Sequence, residues 1–484
     1  MNVRFKISII IAAILLAVSH PGFLFSQDQR SNVLFIFADD LAYDAVGFMG
    51  NDRVETPNLD RLAKRGTVFT HAFNSGAWGG AVCVASRTML MTGKQLWNAN
   101  ATKPAEAVTA RQFWPQRMED AGYSTWFAGK WHVGNDKLVG ESWQHHQHVR
   151  PGMPNQVDLR YHRNFTPGED DWSPTDTSLD GFWKGGRHWS EVLADDCDGF
   201  MTELQAETKP FFMMLAFNAP HDPRQAPQEY QDRYPYDSIT VPHDFLAEYP
   251  HDFGANKIRD EQLAPFPRTE HSIRVCRSEY YALITHMDAQ IGRMLDALEK
   301  SGKADNTVII FTADHGLACG HHGMMGKQNQ YDHSARVPWI IAGPGIPAGQ
   351  RREQMIYLQD AMATTLELAG ADRIETDEFS SVLPVVRGEQ VARREAVYGG
   401  YMDTQRMVRT ETHKLVTYPK AGVELLFDLQ ADPDEMNNLA TDPQQAELLK
   451  DMQSRLQAEM KKMNEPDTGS ESLAPSPPNQ FRSQ

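Results

Sequence analysis

Five short apolar runs constrain this chain more than any other feature: residues 33–37 (VLFIF), 125–128 (TWFA), 211–217 (FFMMLAF), 308–311 (VIIF) and 339–342 (WIIA). Each is continuous rather than alternating, which is the pattern of strands buried on both faces of a sheet. Between them lie helical patterns, at residues 58–65 and again at 280–298, where Leu283, Met287, Ile291, Met294 and Leu298 fall on one face. Strands alternating with helices predict an α/β fold, a large mainly parallel central sheet flanked by helices. The residues just after the runs are equally informative. Asp39 and Asp40 come after the first, Lys130 and His132 after the second, Asn218 and His221 after the third, Asp314 and His315 after the fourth. In open parallel sheets, sites form beyond the carboxyl ends of strands, so four strands are expected to deliver polar groups to one crevice.

With 484 residues the chain can bury one large core, with or without a smaller appended domain. The net charge of −17 argues against nucleic acid or an anionic membrane as partner, because nothing offsets phosphate repulsion across the surface. A small anion in a cationic cleft remains compatible, since salt screens charges beyond about 8–10 Å. At the N-terminus Arg4 and Lys6 precede the apolar run 7–18, which is shorter than the ~20 residues of a membrane span. Residues 1–26 are therefore expected to be a signal peptide, and the chain to be exported to a periplasmic or extracellular location. Four cysteines, Cys83, Cys197, Cys276 and Cys319, are too few and too dispersed to be the main stabiliser of such a chain. A bridge between Cys197 and Cys276 is left open, and Cys83 is the candidate for chemistry.

Residues 27–388 are expected to form the catalytic α/β domain. Residues 143–189, rich in His, Gly, Pro, Asp and Trp, show no period and predict a long ordered insertion rimming the site. Its His145, His146 and His148 offer a second metal position or a solvated loop, and Trp143, Trp172, Trp183 and Trp189 offer stacking surfaces for a sugar or core. After Gly388 the pattern changes to short strands near 407–409, 414–418 and 424–428 and a helix over 444–463. This predicts a smaller α+β subdomain, residues 389–463, containing an antiparallel sheet. The Ser- and Pro-rich residues 464–484 are expected to be a disordered tail.

The segment Cys83-Val-Ala-Ser-Arg87, followed by Thr88-Met-Leu-Met-Thr-Gly93, resembles the signature of type I, formylglycine-dependent sulfatases of the alkaline-phosphatase-like superfamily. There a Cys or Ser is followed two residues later by Pro or Ala, here Ala85, and four later by Arg. The resemblance implies that a formylglycine-generating maturation enzyme oxidises Cys83 to formylglycine (3-oxoalanine). Its hydrate carries two hydroxyls on one carbon: one attacks sulfur and the other later collapses to the carbonyl and expels sulfate. A helix start at Cys83 would aim free N–H groups at the anion.

Further segments carry the same resemblance. Asp39-Asp40 and Asp314-His315, each after a strand, match the metal-binding positions, where the family has Asn or His at the last. With Cys83 they imply one bound ion, calcium by resemblance, and carboxylates suit a hard cation in any case. Gly129-Lys130-Trp131-His132 implies Lys130 on the sulfate and His132 as the base for sulfate release. Asn218-Ala-Pro-His221 implies a sulfate-binding histidine that protonates the leaving oxygen. Gly323-Met-Met-Gly-Lys327 implies a lysine against the sulfate, and Arg87 a group holding the nucleophile. Residues 425–439 are similar to the closing hairpin of many sulfatases. The expectation is hydrolysis of sulfate monoesters, on a sulfated carbohydrate or another sulfate ester. The alternatives are a formylglycine-dependent phosphonate monoester or phosphodiester hydrolase on the same scaffold, and a non-catalytic protein that binds sulfated glycans. Oligomeric state is not readable.

Overall fold

All five apolar runs are buried strands in the computed structural model, which describes residues 30–154, 158–161, 163–166 and 169–466. The expected signal peptide lies outside the described residues, as does the expected tail from residue 467 onward. The strands are β1 Asn32–Ala38, β2 Gly66–Phe73, β3 Gly76–Ala77, β4 Ser124–Lys130, β5 His145–Arg150, β6 Phe211–Ala216 and β7 Thr307–Ala313. They continue with β8 Arg336–Ala342, β9 Gln350–Arg352, β10 Ile356–Tyr357, β11 Val397–Tyr401, β12 Gln405–Arg409, β13 His413–Tyr418 and β14 Val423–Asp428.

The large sheet runs β10-β2-β8-β7-β1-β6-β4-β5, with β9 paired to β2. Only β8 runs against the rest, being antiparallel to both β2 and β7. The central strands β1, β4, β6 and β7 are buried along their whole length, as continuous apolar sequence requires when helices cover both faces. The helix Glu270–Lys300 starts at a Thr269 cap whose side chain accepts from Ser272 N–H, and packs on the helices Trp189–Glu203 and Pro57–Lys64. Its Leu283, Met287, Ile291, Met294 and Leu298 all face the core.

The second sheet, β14-β13-β12-β11-β3, is mostly antiparallel and is backed by the helix Ala446–Lys462. Its last strand comes from the first hundred residues: β3 pairs in parallel with β11, and a side chain at Gly76 would stand 2.0 Å from the Gly400 carbonyl oxygen. Glu465, within the segment expected as tail, accepts from Tyr398 Oη at 2.6 Å and pairs with Arg406. The fold is thus α/β with a large mainly parallel sheet and a smaller, mostly antiparallel one.

Two elements depart from expectation. β2 (GTVFTHAF) carries Thr and His among its apolar residues and reads as broken, yet lies between β8 and β10 and is buried but for His71. Residues 145–150, expected within an aperiodic insertion, form the edge strand β5, parallel to β4. Its polar sequence follows from the edge position, where side chains alternate between partly covered and exposed. Among the described residues no helix is long and apolar enough to cross a membrane.

Candidate active site

Because β1, β4, β6 and β7 are parallel neighbours, their carboxyl ends open on one edge, and the polar residues after each converge there. Ala38 and Ala313 are in register, so Asp39-Asp40 and Asp314-His315 leave the sheet side by side. Asp40 adopts φ 64°, a left-handed conformation that a non-glycine residue holds only when its surroundings enforce it. Its N–H donates to Asp314 Oδ1 at 3.2 Å, and its carbonyl accepts from Tyr280 Oη at 2.6 Å. His315 Nε2 lies 3.2 Å from Asp40 Oδ1 and 3.4 Å from Asp314 Oδ1.

Cys83 is the second residue of the helix Val82–Thr92, where backbone N–H groups are free to face an anion. One turn on, Arg87 is only 1% exposed. Its Nε donates to Asp314 Oδ2 at 3.0 Å and its Nη1 to the Lys130 carbonyl at 2.9 Å. Lys130, the last residue of β4, pairs with Asp39. Lys327 Nζ donates to both Asp40 carboxylate oxygens at 2.8 Å and lies 3.0 Å from His221 Nε2. His132 also holds a left-handed φ of 60°. All the residues expected at the site therefore meet in one buried crevice.

The electrostatics are those of a nucleophile among cations. Burial raises the Cys83 thiol pKa, but Lys130 and Lys327, with His132 and His315 reaching toward the sulfur, hold it well below the ordinary value. Burial likewise opposes ionisation of Asp40, yet His221 and Lys327 bring its pKa below the usual range. Burial also lowers the pKa of His132, so its imidazole is neutral and free to accept a proton.

Asp39 behaves oppositely: burial and repulsion from Asp314 outweigh Lys130 and drive its pKa well above the carboxylate range. A further cation would relieve this. Donor atoms of Asp39, Cys83, Asp314 and His315 lie within 4.8 Å of one another, as do those of Asp39, Asp40 and His221. Asp39 Oδ1 and His315 Nε2 are buried without hydrogen-bond partners, which leaves two ligand atoms aimed into the cluster. Three buried carboxylates beside such orphaned atoms fit a hard divalent cation.

Sequence reasoning misses the residues that brace these groups. Asp222 Oδ1 lies 3.1 Å from His221 Nδ1, and the same carboxylate is held by Tyr161 and by Arg259 at 3.4 Å. Asp260 lies 3.9 Å from Lys327 Nζ and 2.8 Å from Gln328 Nε2. Asp222 directly follows His221 and could have been found from that position; nothing in the sequence around Asp260 ties it to Lys327. Other expectations are corrected. His145 stacks on Trp126 with ring centroids 3.8 Å apart, and His148 Nδ1 binds Asp196 at 2.7 Å, so these histidines form no shared metal site among the described residues. Trp143, Trp172, Trp183 and Trp189 are all buried, so they build the interior rather than an open stacking platform. Cys197 and Cys276 are free, as are Cys83 and Cys319, and all are buried.

A buried nucleophile at a helix start, ringed by carboxylates at the ends of parallel strands, defines an α/β hydrolase for anionic esters. The chain belongs to the Sulfatase family, whose pattern matches residues 31–371; the pattern described as N-sulphoglucosamine sulphohydrolase, C-terminal, matches residues 320–462. It is a sulfuric ester hydrolase. It is 26% identical over 454 residues to an arylsulfatase of Clostridium perfringens, covering 85% of this chain and 90% of that one. It is 24% identical over 520 residues to an N-acetylglucosamine-6-O-sulfatase of Bacteroides thetaiotaomicron, covering 91% and 88%. In fold it is similar to the crystal structure of the phosphonate monoester hydrolase of Agrobacterium radiobacter, with a TM-score of 0.71, 22% identity, and 90% and 96% of the two chains covered.

Proposed function

We propose that the chain hydrolyses sulfate monoesters of a sulfated carbohydrate, using formylglycine made from Cys83 and one calcium ion. The observation that carries this reading is the meeting of Cys83 with Lys130, Lys327 and Arg87 around the cluster Asp39, Asp40, Asp314 and His315. The carbohydrate rests on the N-acetylglucosamine-6-O-sulfatase relative. Asp39, Asp40, Asp314 and His315, with the matured Cys83, would hold the calcium, which supplies Lewis-acid polarisation of a sulfate oxygen. Formylglycine at Cys83 supplies a hydrate, one hydroxyl for attack on sulfur and one for expulsion of sulfate.

The remaining roles belong to side chains now present. Lys130 and Lys327 offset the charge of the bound sulfate. Arg87 fixes the nucleophile helix against Asp314. His221, braced by Asp222, protonates the leaving alcohol oxygen, and His132 accepts the proton that releases sulfate. Export, with residues 1–26 removed, would place the enzyme in the periplasm or outside the cell, where sulfated polysaccharides are met.

The fold's likeness to a phosphonate monoester hydrolase supports a second reading, a formylglycine-dependent phosphonate monoester or phosphodiester hydrolase. The test is the mass of the Cys83 peptide from protein matured in its own host, with rates on matched sulfate and phosphodiester substrates. An aldehyde at Cys83 and faster sulfate release are expected. A large phosphodiester preference selects the second reading. An intact thiol with glycan binding and no turnover would overturn both.

A further inference from the structure

We infer that Gly152 is a positioning residue for His132, a role that rests on the reading of His132 as the proton acceptor. A side chain at Gly152 would put its Cβ 2.3 Å from both Cε1 and Nε2 of the His132 ring and 2.6 Å from Cδ2. The imidazole therefore lies directly on the Gly152 backbone. Gly152 is not among the left-handed glycines, so its backbone accepts any residue and the need for glycine comes from the ring alone.

The segment carrying Gly152 is itself fixed to the site on two sides. Trp131 N–H donates to the Arg150 carbonyl at 3.1 Å, continuing the β4–β5 pairing past the strand ends. Asn218 Nδ2 donates to the Pro151 carbonyl at 3.0 Å, tying the same segment to the end of β6. Beside these ties Gly152 forms a wall against which His132, at φ 60°, is pressed. His132 Nδ1 is buried with no hydrogen-bond partner, so that nitrogen does not orient the ring and the wall does. A turn of two residues after an edge strand thus sets the direction of the base.

The test is a double-mutant cycle on matured enzyme, with rates on 4-nitrophenyl sulfate normalised to the aldehyde content at Cys83. Gly152→Ala displaces the ring by about an ångström, and kcat is expected to fall about 10–100-fold, with KM within about twofold. In a His132→Ala background the same change is expected to alter the rate less than about twofold. An equal loss in both backgrounds overturns the inference, because Gly152 would then act without His132. A harmless His132→Ala overturns the reading of His132 and this inference with it, so the two failures are distinguishable. If Gly152→Ala fails to fold, Asn218→Ala, which frees the Pro151 carbonyl, takes its place in the cycle with the same outcomes.

Discussion

Arg87 is the counter-charge that lets two carboxylates stay buried beside the nucleophile, and replacing it separates charge from geometry. In Arg87→Ala, Asp314 loses its 3.0 Å partner and Asp39 its 3.9 Å neighbour, and the Lys130 carbonyl loses its donor. Removing one partner of a buried ion pair costs about 3–5 kcal/mol, because the other charge remains unpaired. In Arg87→Lys the charge survives, but a single ammonium cannot span Asp314 Oδ2 and the Lys130 carbonyl together. Losing one charge-assisted hydrogen bond costs about 1.5–3 kcal/mol, so lysine falls between alanine and wild type. Attraction to His315, Arg87 and Lys130 overcomes burial and depresses the Asp314 pKa far below its ordinary 3.8. A depressed carboxylate contributes stability only above its unfolded pKa and loses it as pH falls through the folded one. The gap between wild type and Arg87→Ala is therefore full above about pH 4 and narrows below it. Urea unfolding followed by tryptophan fluorescence across pH measures this. An alanine variant within about 1 kcal/mol of wild type at neutral pH would refute the assignment of Arg87 as counter-charge.

The same structure predicts three other outcomes. Gly129→Ala places a Cβ 1.9 Å from the Ala216 carbonyl oxygen at φ 97°, so a loss above about 4 kcal/mol is expected in unfolding, and a soluble variant of normal stability would contradict the β4–β6 register. His321 is buried, yet hydrogen bonds from Asp244 and Asp44 raise its pKa to about 9. A raised histidine stabilises fully below its unfolded pKa and loses that contribution as pH rises through the folded one, so about 3 kcal/mol should disappear between pH 6.5 and 9. His321→Gln is expected to flatten this part of a thermal-stability profile, and an unchanged slope would show that another group titrates. Finally, all four cysteines are free, so denatured unmatured protein should titrate with four thiols and matured protein with three. Two thiols or fewer would reveal a bridge.

What the sequence makes visible and what it hides divide along a physical line. Apolar runs and the polar residues immediately after them are local, and the rule that parallel strands share one carboxyl edge turns local order into a site. Asp39, Asp40, Lys130, His221, Asp314 and His315 are legible in this way, and Cys83, Arg87 and Lys327 by their motifs. The mixed sequence of β2 and the histidines of β5 hide two strands, because pairing and an edge position, not hydrophobic continuity, make them strands. β3 is hidden for a different reason: two residues near position 76 belong to a sheet built almost entirely after residue 396.

The bracing groups are the harder case, and they show why motif residues alone do not make a site. Lys327 reaches Asp40 across 287 positions of sequence, and Asp260 stands beside that same lysine. Asp260 is ionised because Lys327 and Arg259 overcome its burial, so the balance that sets its charge exists only in the folded state. Gly152 carries no side chain at all, and its contribution is the space it leaves for His132. Neither signal is a residue preference over a few positions; both are properties of contacts that form only after the sheet has closed. A family motif can thus specify the reacting groups while the residues that aim them vary freely in type and position, provided that charge and volume are balanced at the same points in space.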